Sequence, residues 1–99
     1  MRRASRTDAN QSDLVSAAEQ FGCTVCQLHQ VGAGCPDLLI GQASRWGRRN
    51  ILVEAKTENG VLTPEQIGFH RDWRGQVDIA KTVAELLAIL QRAPGRNQL

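Results

Sequence analysis

Residues 36–56 read PDLLIGQASRWGRRNILVEAK and contain two short apolar runs on either side of a polar segment. The runs at residues 37–41 and 51–56 have the length of buried strands, and turn-forming residues bound them. Residues 42–50 hold serine, glycine and several arginines, which indicates the turn of a hairpin. We therefore expect an antiparallel hairpin with a basic tip at the centre of the fold.

The N-terminal part of the chain predicts a helix followed by a short strand. Apolar residues recur at spacings of three and four from residue 8 to about residue 21, which is the period of an amphipathic helix. Asp8 is expected to cap this helix, and Gly22 is expected to end it. Residues 23–30 then fit a strand, although their alternation is imperfect.

Two further helices are predicted after the hairpin, and each is opened by a capping-box sequence. Residues 63–66 place a proline at the first helical position, so a helix is expected over residues 64–74, stopping at Gly75. Residues 76–81 alternate as a strand, and residues 82–85 open the last helix. The resulting order of elements is αβββαβα.

Length and composition predict a single cytoplasmic domain. The chain has 99 residues, so we expect one domain over residues 1–99 with residues 1–7 and 93–99 as flexible tails. No apolar run is long enough to span a bilayer, and the basic N-terminus lacks the apolar stretch of a signal peptide. The three cysteines are expected to stay as thiols. The net charge of +2 is small, but the clustering of arginines suits a polyanionic partner.

Charged residues stand where the hairpin strands should be buried. Side chains alternate along a strand, so Glu54 and Lys56 share one face. Burying either group without a partner costs roughly 2 kcal/mol or more, so each needs a partner or a chemical task. Antiparallel pairing would bring Asp37, at the start of the first strand, close to both. Two carboxylates this close repel each other unless a cation or a proton lies between them.

Oxygen ligands of this kind suit Mg²⁺ or Mn²⁺, which can also take a phosphate oxygen. Such an ion would activate a water and shield the charge that develops on phosphorus, while Lys56 orients the water or stabilises the phosphoryl oxygens. The simpler alternative is a same-face ion pair between Glu54 and Lys56 with Asp37 as a turn residue, and an isolated E-x-K motif favours it. The combination of G-x-P-D, E-x-K and a capped helix favours a phosphodiester hydrolysis site.

The motifs resemble those of a known family. Gly34-Cys35-Pro36-Asp37, Leu52-Val53-Glu54-Ala55-Lys56 and Leu62-Thr63-Pro64-Glu65-Gln66 look like the VRR-NUC branch of the PD-(D/E)XK nuclease superfamily. The likeness extends to archaeal-type Holliday junction resolvases and small phage-encoded nucleases, and it covers residues 8–90. It implies an α/β fold with an αβββαβα restriction-endonuclease-like core, in which helices flank a central mixed sheet.

The resemblance also implies roles for individual residues. Asp37, Glu54 and the backbone carbonyl of Ala55 would bind Mg²⁺ or Mn²⁺, Lys56 would be the catalytic lysine, and Gln66 would lie beside the site. Related resolvases carry a glutamate in the first helix, and its register falls here on Gln11, a weak ligand because an amide is neutral. Asn10 and Glu19 are the other candidates for that position. A capping box with Asp8 is the alternative role for Gln11, as one with Thr63 is for Gln66.

Candidate DNA-binding residues lie outside this group. The hairpin turn carries Arg45, Trp46, Arg48 and Arg49, which suit phosphate contact and stacking on an unpaired base, although a solvated turn is the alternative. Gly34 would let the backbone approach a phosphate, though turn formation alone would explain it. His70 lies one turn beyond Gln66 and could touch substrate, pack or face solvent. Trp73 is expected in the core.

We therefore expect a Mg²⁺-dependent DNA endonuclease that is selective for branched, flap or Holliday junction DNA. A homodimer is expected because a surface this small grips little DNA and symmetric junctions suit two-fold proteins. Two alternatives remain at this point. One is a catalytically inactive DNA-binding module on the same fold; the other is a zinc-stabilised interaction domain built on Cys23, Cys26, His29 and Cys35.

Overall fold

The computed structural model of the protein describes the backbone of residues 4–93 and the side chains of residues 10–93. The fold is mixed α/β, with three helices and one four-stranded mixed sheet in the predicted order αβββαβα. Its elements are α1 (Ala4–Gln20), β1 (Thr24–Gln27), β2 (Leu38–Ser44), β3 (Gly47–Ala55), α2 (Pro64–Asp72), β4 (Asp78–Ala80) and α3 (Val83–Leu90). Within this described part, no helix combines the length and the apolar character needed to cross a membrane.

The sheet has the strand order β1-β2-β3-β4. The first three strands are antiparallel neighbours, and β4 lies parallel to β3 after the crossover through α2. Both strands of the predicted hairpin therefore occupy the middle of the sheet, where neighbours on each side satisfy their backbone groups.

The hairpin turn is much shorter than predicted. Ser44 pairs with Gly47, so the loop consists of Arg45 and Trp46 alone, and the other residues expected in the turn belong to β2 and β3. The tight connection is possible because Gly47 has φ 101°, a region in which a side chain would be strained. Polar residues could continue both strands because the far end of the hairpin is open on one face of the sheet.

The core lies on the other face of the sheet, beneath α1 and α3. It includes Leu14 and Ala18 from α1, Leu38 and Ile40 from β2, Ile51, Val53 and Ala55 from β3, and Leu86, Ile89 and Leu90 from α3. The residues that β3 sends into the core are the odd-numbered ones, as alternation requires. Its even-numbered residues, among them Glu54, therefore face the opposite side.

The ends of α1 differ from the prediction at one terminus. The helix begins at Ala4, so Asp8 lies within it, and the expectation that Asp8 is the N-cap is wrong. Residues 4–7 of the expected tail are helical, because nothing in that stretch interrupts the helix; residues 1–3 and 94–99 lie outside the described part. At the other end Gly22, with φ 96°, terminates the helix as predicted, and the amide of Cys23 donates to the carbonyl of Ala18 (3.0 Å).

The helices α2 and α3 begin at the predicted residues, but α2 ends earlier than predicted. Both predicted N-caps are confirmed, since the hydroxyl oxygens of Thr63 and Thr82 accept from the amides three residues on. The helix α2 stops at Asp72 rather than Arg74 because Trp73 is extended. Trp73 was expected in the core, and that prediction is wrong: it is 46% exposed and stacks on Phe69, because α2 buries none of its residues.

Candidate active site

The strand register brings the two predicted acids together. Leu38 pairs with Val53, and one further step along each strand places Asp37 opposite Glu54 on the face away from the core. Asp37 is held at both ends: its backbone carbonyl accepts from the amide of Leu28 (2.7 Å), and its Oδ2 accepts from the amide of Ala55 (3.0 Å). The orientation of this carboxylate is therefore set by the backbone of the strand that carries Glu54.

Glu54 is a buried carboxylate with one unsatisfied oxygen. Its side chain is only 1% exposed; Oε2 accepts from Nε2 of Gln66 (3.1 Å), whereas Oε1 is buried and has no hydrogen-bond partner. Burial and, after it, the neighbouring carboxylate of Asp37 raise the pKa of Glu54 to about 9, against the lowering effect of Lys56. Near neutral pH this group must keep a proton or have a cation beside it.

Gln66 completes a capping box and also contacts Glu54. Its Oε1 accepts from the amide of Thr63 (2.9 Å) and completes the capping box of α2, while its Nε2 donates to Glu54. The two ends of one amide thus join the start of α2 to the buried carboxylate. This contact occupies Oε2, so Oε1 is the oxygen of Glu54 that has no partner.

Gly34 packs against the start of α2, a contact that the sequence did not reveal. It is buried with φ 78°, and a β-carbon there would lie 2.7 Å from the carbonyl carbon of Glu65 and 3.1 Å from the amide nitrogen of Gln66. Its buried backbone is not open to a phosphate. Glycine is required because the loop before Asp37 and the first turn of α2 approach each other closely.

Gly34→Ala is therefore expected to destabilise the protein and to displace Gln66 from Glu54. The positive φ alone costs a non-glycine residue about 1–2 kcal/mol, and the backbone contact adds to it. Gly32→Ala is the matched control, because Gly32 has φ 81° with nothing within 4 Å of an added β-carbon. Urea unfolding should show a larger loss for Gly34→Ala than for Gly32→Ala; equal losses would contradict the close packing.

Contacts from distant parts of the chain hold the end of β3. Asn10 donates through Nδ2 to the backbone carbonyl of Lys56 (2.8 Å), and the amide of Lys56 donates to the carbonyl of Ala80 (3.1 Å). Further back, the side chain of Gln76 bonds both backbone groups of Leu52, at 2.8 and 2.7 Å. No local motif signals these contacts, since Asn10 and Lys56 lie 46 residues apart in the chain.

Lys56 follows Glu54 on the same face of the strand, and its charge lowers the pKa of Glu54. Among the described residues no salt bridge joins the two side chains, so the expected alternative of a simple ion pair is not what the structure shows. The lysine side chain instead lines a cavity of about 340 Å³ together with Val61 and Ile67. Neither Asp37 nor Glu54 lines this cavity.

The backbone of Ala55 also belongs to the site. Its amide points to the β2 side of the strand, where it donates to Asp37. Within a strand the amide and the carbonyl of one residue point to the same side, so the carbonyl of Ala55 lies on the Asp37 side as well. The carbonyl of Ala55 and the carboxylate of Asp37 thus lie at the same edge of β3.

Gln11, the metal ligand predicted from the first helix, does not lie beside Asp37 and Glu54. Gln11 is 3% exposed and donates to Oε1 of Gln27 (3.0 Å). Gln27 pairs with the core residue Leu38, so the contact lies on the core face of the sheet, opposite Glu54. Its capping-box alternative with Asp8 fails too, since Asp8 lies inside α1. Of the other candidates, Asn10 anchors Lys56, and Glu19 is exposed near the end of the helix.

The predicted DNA-binding residues of the hairpin fall on two faces. Arg49 faces α3, where its Nη2 donates to the carbonyl of Leu90 (3.0 Å). Its Nε donates to the side chain of Gln42 on the neighbouring strand β2 (2.8 Å). Trp46 lies beside Arg49, with the guanidinium carbons of Arg49 and Arg45 5.7 and 5.4 Å from the ring centroid. Arg48 is exposed and faces the same side as Glu54. Arg49 and Arg48 thus lie on opposite faces of the sheet, Arg49 in a structural role and Arg48 open to solvent.

His70 is placed away from the acids. It lines a cavity of about 590 Å³ with Asp78 and Arg92, and Glu54 does not line that cavity. Burial lowers the pKa of His70, although Asp78 acts in the opposite direction, and its Nε2 is buried without a partner. The expectation that His70 faces the same way as Gln66 therefore does not bring it to the candidate site.

The site residues fit a hard divalent cation better than zinc. Within the described part of the chain, no three His, Cys, Asp or Glu side chains lie close enough together to hold a metal. The cysteines of the zinc alternative are dispersed, with Cys23 buried and Cys26 exposed. Two carboxylates and a carbonyl can supply part of a magnesium shell, because Mg²⁺ keeps several waters, and the unpartnered oxygen of Glu54 fits such an ion.

Comparison with known proteins adds no relative to this description. No protein family, curated protein or solved structure matches the chain. The likeness to the VRR-NUC nucleases thus stays an expectation from the motifs.

Proposed function

We propose that this protein is a divalent-metal-dependent DNA endonuclease with a restriction-endonuclease-like core. The observation that carries the proposal is the buried, unpartnered Oε1 of Glu54, which stands opposite a second carboxylate, that of Asp37. A buried carboxyl group with one oxygen left without a partner lowers the stability of the folded protein, which a purely structural role does not explain. Perturbed acids in such a place are typical of functional sites.

Asp37, Glu54 and the carbonyl of Ala55 would hold Mg²⁺ or Mn²⁺. The ion, when bound, supplies an activated water and offsets the negative charge on the phosphate. Glu54 must lose its proton to take part, and Gln66 holds its other oxygen while it does so. Lys56, whose backbone is held by Asn10 and Ala80 and whose charge acts on Glu54, would stabilise charge on the phosphoryl oxygens.

The exposed Arg45 and Arg48 support a nucleic acid as the substrate, since guanidinium groups suit phosphate recognition. As part of the same proposal the protein acts in the cytoplasm as a homodimer on branched, flap or four-way DNA. Two copies would grip both arms of a symmetric junction, which one small domain cannot do.

The proposal is tested by incubating the purified protein with labelled linear duplex, flap, splayed-arm and four-way DNA. Cleavage is expected with Mg²⁺ or Mn²⁺, faster on the branched substrates, and none with EDTA. DNA binding without cleavage under every metal condition would support the inactive DNA-binding module instead. Cleavage that persists in EDTA would exclude the metal-dependent mechanism.

A further inference from the structure

The sheet face that carries Glu54 continues beyond α2 to the far end of the hairpin. Arg48 and Asn50 lie on this face because they precede Glu54 by even numbers of residues. Their partners on β2 are Ala43 and Gly41. Arg48, Asn50 and Ala43 are exposed, and with Thr24 they line part of a depression of about 390 Å³ whose wall also includes Gly22, Gln42 and Arg49. We call this surface, formed by Thr24, Gly41, Ala43, Arg48 and Asn50, the outer hairpin face.

The outer hairpin face carries the positive charge of Arg48 and has small side chains beside it. No aspartate or glutamate occurs between residues 38 and 53, so the nearest acid to Arg48 along its strand is Glu54, six residues further on. The guanidinium of Arg49, by contrast, lies on the opposite face, where it donates to the carbonyl of Leu90 at the end of α3. Ala43 projects little from the sheet, which lets another molecule approach the backbone there, whereas the hydroxyl of Thr24 lies over Gly41, 2.7 Å from where a β-carbon would stand. A positive charge with flanking amide and hydroxyl groups suits a phosphate backbone.

The distance from Arg48 to Glu54 determines how long a DNA segment must be to contact both. Arg48 precedes Glu54 by six residues, and a strand rises about 3.3 Å per residue, so the two lie roughly 20 Å apart along β3. Phosphates of one DNA strand advance about 3.4 Å per base pair along the axis. The separation thus corresponds to about six base pairs of duplex.

We propose that the outer hairpin face binds a duplex arm of the DNA substrate, with Arg48 on a phosphate about six base pairs from the cleaved bond. The inference rests on the proposed nuclease function, because it measures the distance from that site. The arm lies along β3, so it gains the contact with Arg48 only when it is long enough to reach the hairpin end.

Fluorescence anisotropy in EDTA tests the inference without cleavage. The probes are flap DNAs in which each duplex arm is shortened in turn. For one arm, affinity is expected to rise by about tenfold when the arm grows past about six base pairs. Arg48→Ala should lose most of that increase and should lower the slope of log K against log salt by about 1. Arg74→Ala, at an exposed arginine after α2, is the matched control and should bind like wild type.

A second variant tests the surface rather than the arginine. Ala43→Glu places a carboxylate directly opposite Arg48 on an exposed position, and it should weaken binding to the long arm more than Arg48→Ala does. Ala88→Glu, on the exposed side of α3, is the charge-matched control. Wild-type affinity for both hairpin variants on the long arm, or an equal loss at every arm length, would overturn the inference.

The assay separates this inference from the nuclease proposal. Arm-length-dependent binding in EDTA without any cleavage in Mg²⁺ would refute the nuclease and leave the DNA-binding face standing. Cleavage with no effect of Arg48→Ala or Ala43→Glu on binding would do the reverse. If Ala43→Glu instead converts a DNA-free dimer into monomers in sedimentation velocity, the face is an interface between copies of this chain, and the inference is wrong.

Discussion

Asp37→Asn is expected to reduce Mg²⁺-dependent DNA cleavage by about 10²–10³-fold, the scale on which a lost electrostatic contribution at a reacting centre acts. The asparagine oxygen can still accept from the amide of Ala55, so the local backbone is preserved. What disappears is the negative charge opposite Glu54, and with it the attraction for a divalent ion. Initial cleavage rates on flap DNA measure the effect.

The control for this variant is Asp72→Asn, which removes an exposed aspartate paired with Arg71. It should cleave at the wild-type rate. DNA affinity in EDTA should be retained by Asp37→Asn, because the exposed arginines are untouched. A variant that cleaves as fast as wild type would show that Asp37 is not a metal ligand, and the proposed mechanism would fall.

Glu54→Gln should make the metal-free protein more stable at alkaline pH while abolishing cleavage. The folded pKa of Glu54 is about 9, above the ordinary value of 4.5, so the folded state binds this proton more tightly than the unfolded state. Its stabilising contribution is complete below about pH 4.5 and is lost as the pH rises through 9. The free energy of unfolding should therefore fall with pH by up to about 1.4 kcal/mol per unit in wild type. Glutamine has no such proton to lose.

Thermal denaturation in EDTA from pH 5 to 9 measures this difference. Adding Mn²⁺ or Mg²⁺ should raise the Tm of wild type, increasingly so at higher pH, because the ion binds the ionised carboxylate. Glu54→Gln should show little of either response. Glu58→Gln, in the exposed loop before α2, should behave like wild type. If Glu54→Gln keeps the wild-type pH dependence, the buried carboxyl is not the group that titrates.

The elements were largely predictable because their signals are local. The capping box at Thr63, the N-cap Thr82 and the helix-ending Gly22 act within a few residues, and the structure confirms each of them. The second half of the box predicted at Thr82 is wrong, because Glu85 accepts from the amide of Lys81 (2.7 Å) instead. The hairpin turn was misjudged because polar composition resembles a loop, whereas a strand with one open face accepts polar side chains equally well. Trp73 was misjudged because α2, the helix that it follows, buries none of its residues, so Trp73 stacks on Phe69 and stays 46% exposed.

The composition of the site followed from residues 36–56, because alternation and antiparallel pairing leave only one way for Asp37 and Glu54 to meet. Long-range packing settled the remaining features of the site. Gln66 reaches Glu54 because Gly34 lets α2 come close, Asn10 holds Lys56 across 46 residues, and Gln11 turns to the core face. Periodicity is a property of neighbours in the chain, whereas the burial that leaves Oε1 of Glu54 without a partner exists only once distant segments enclose it.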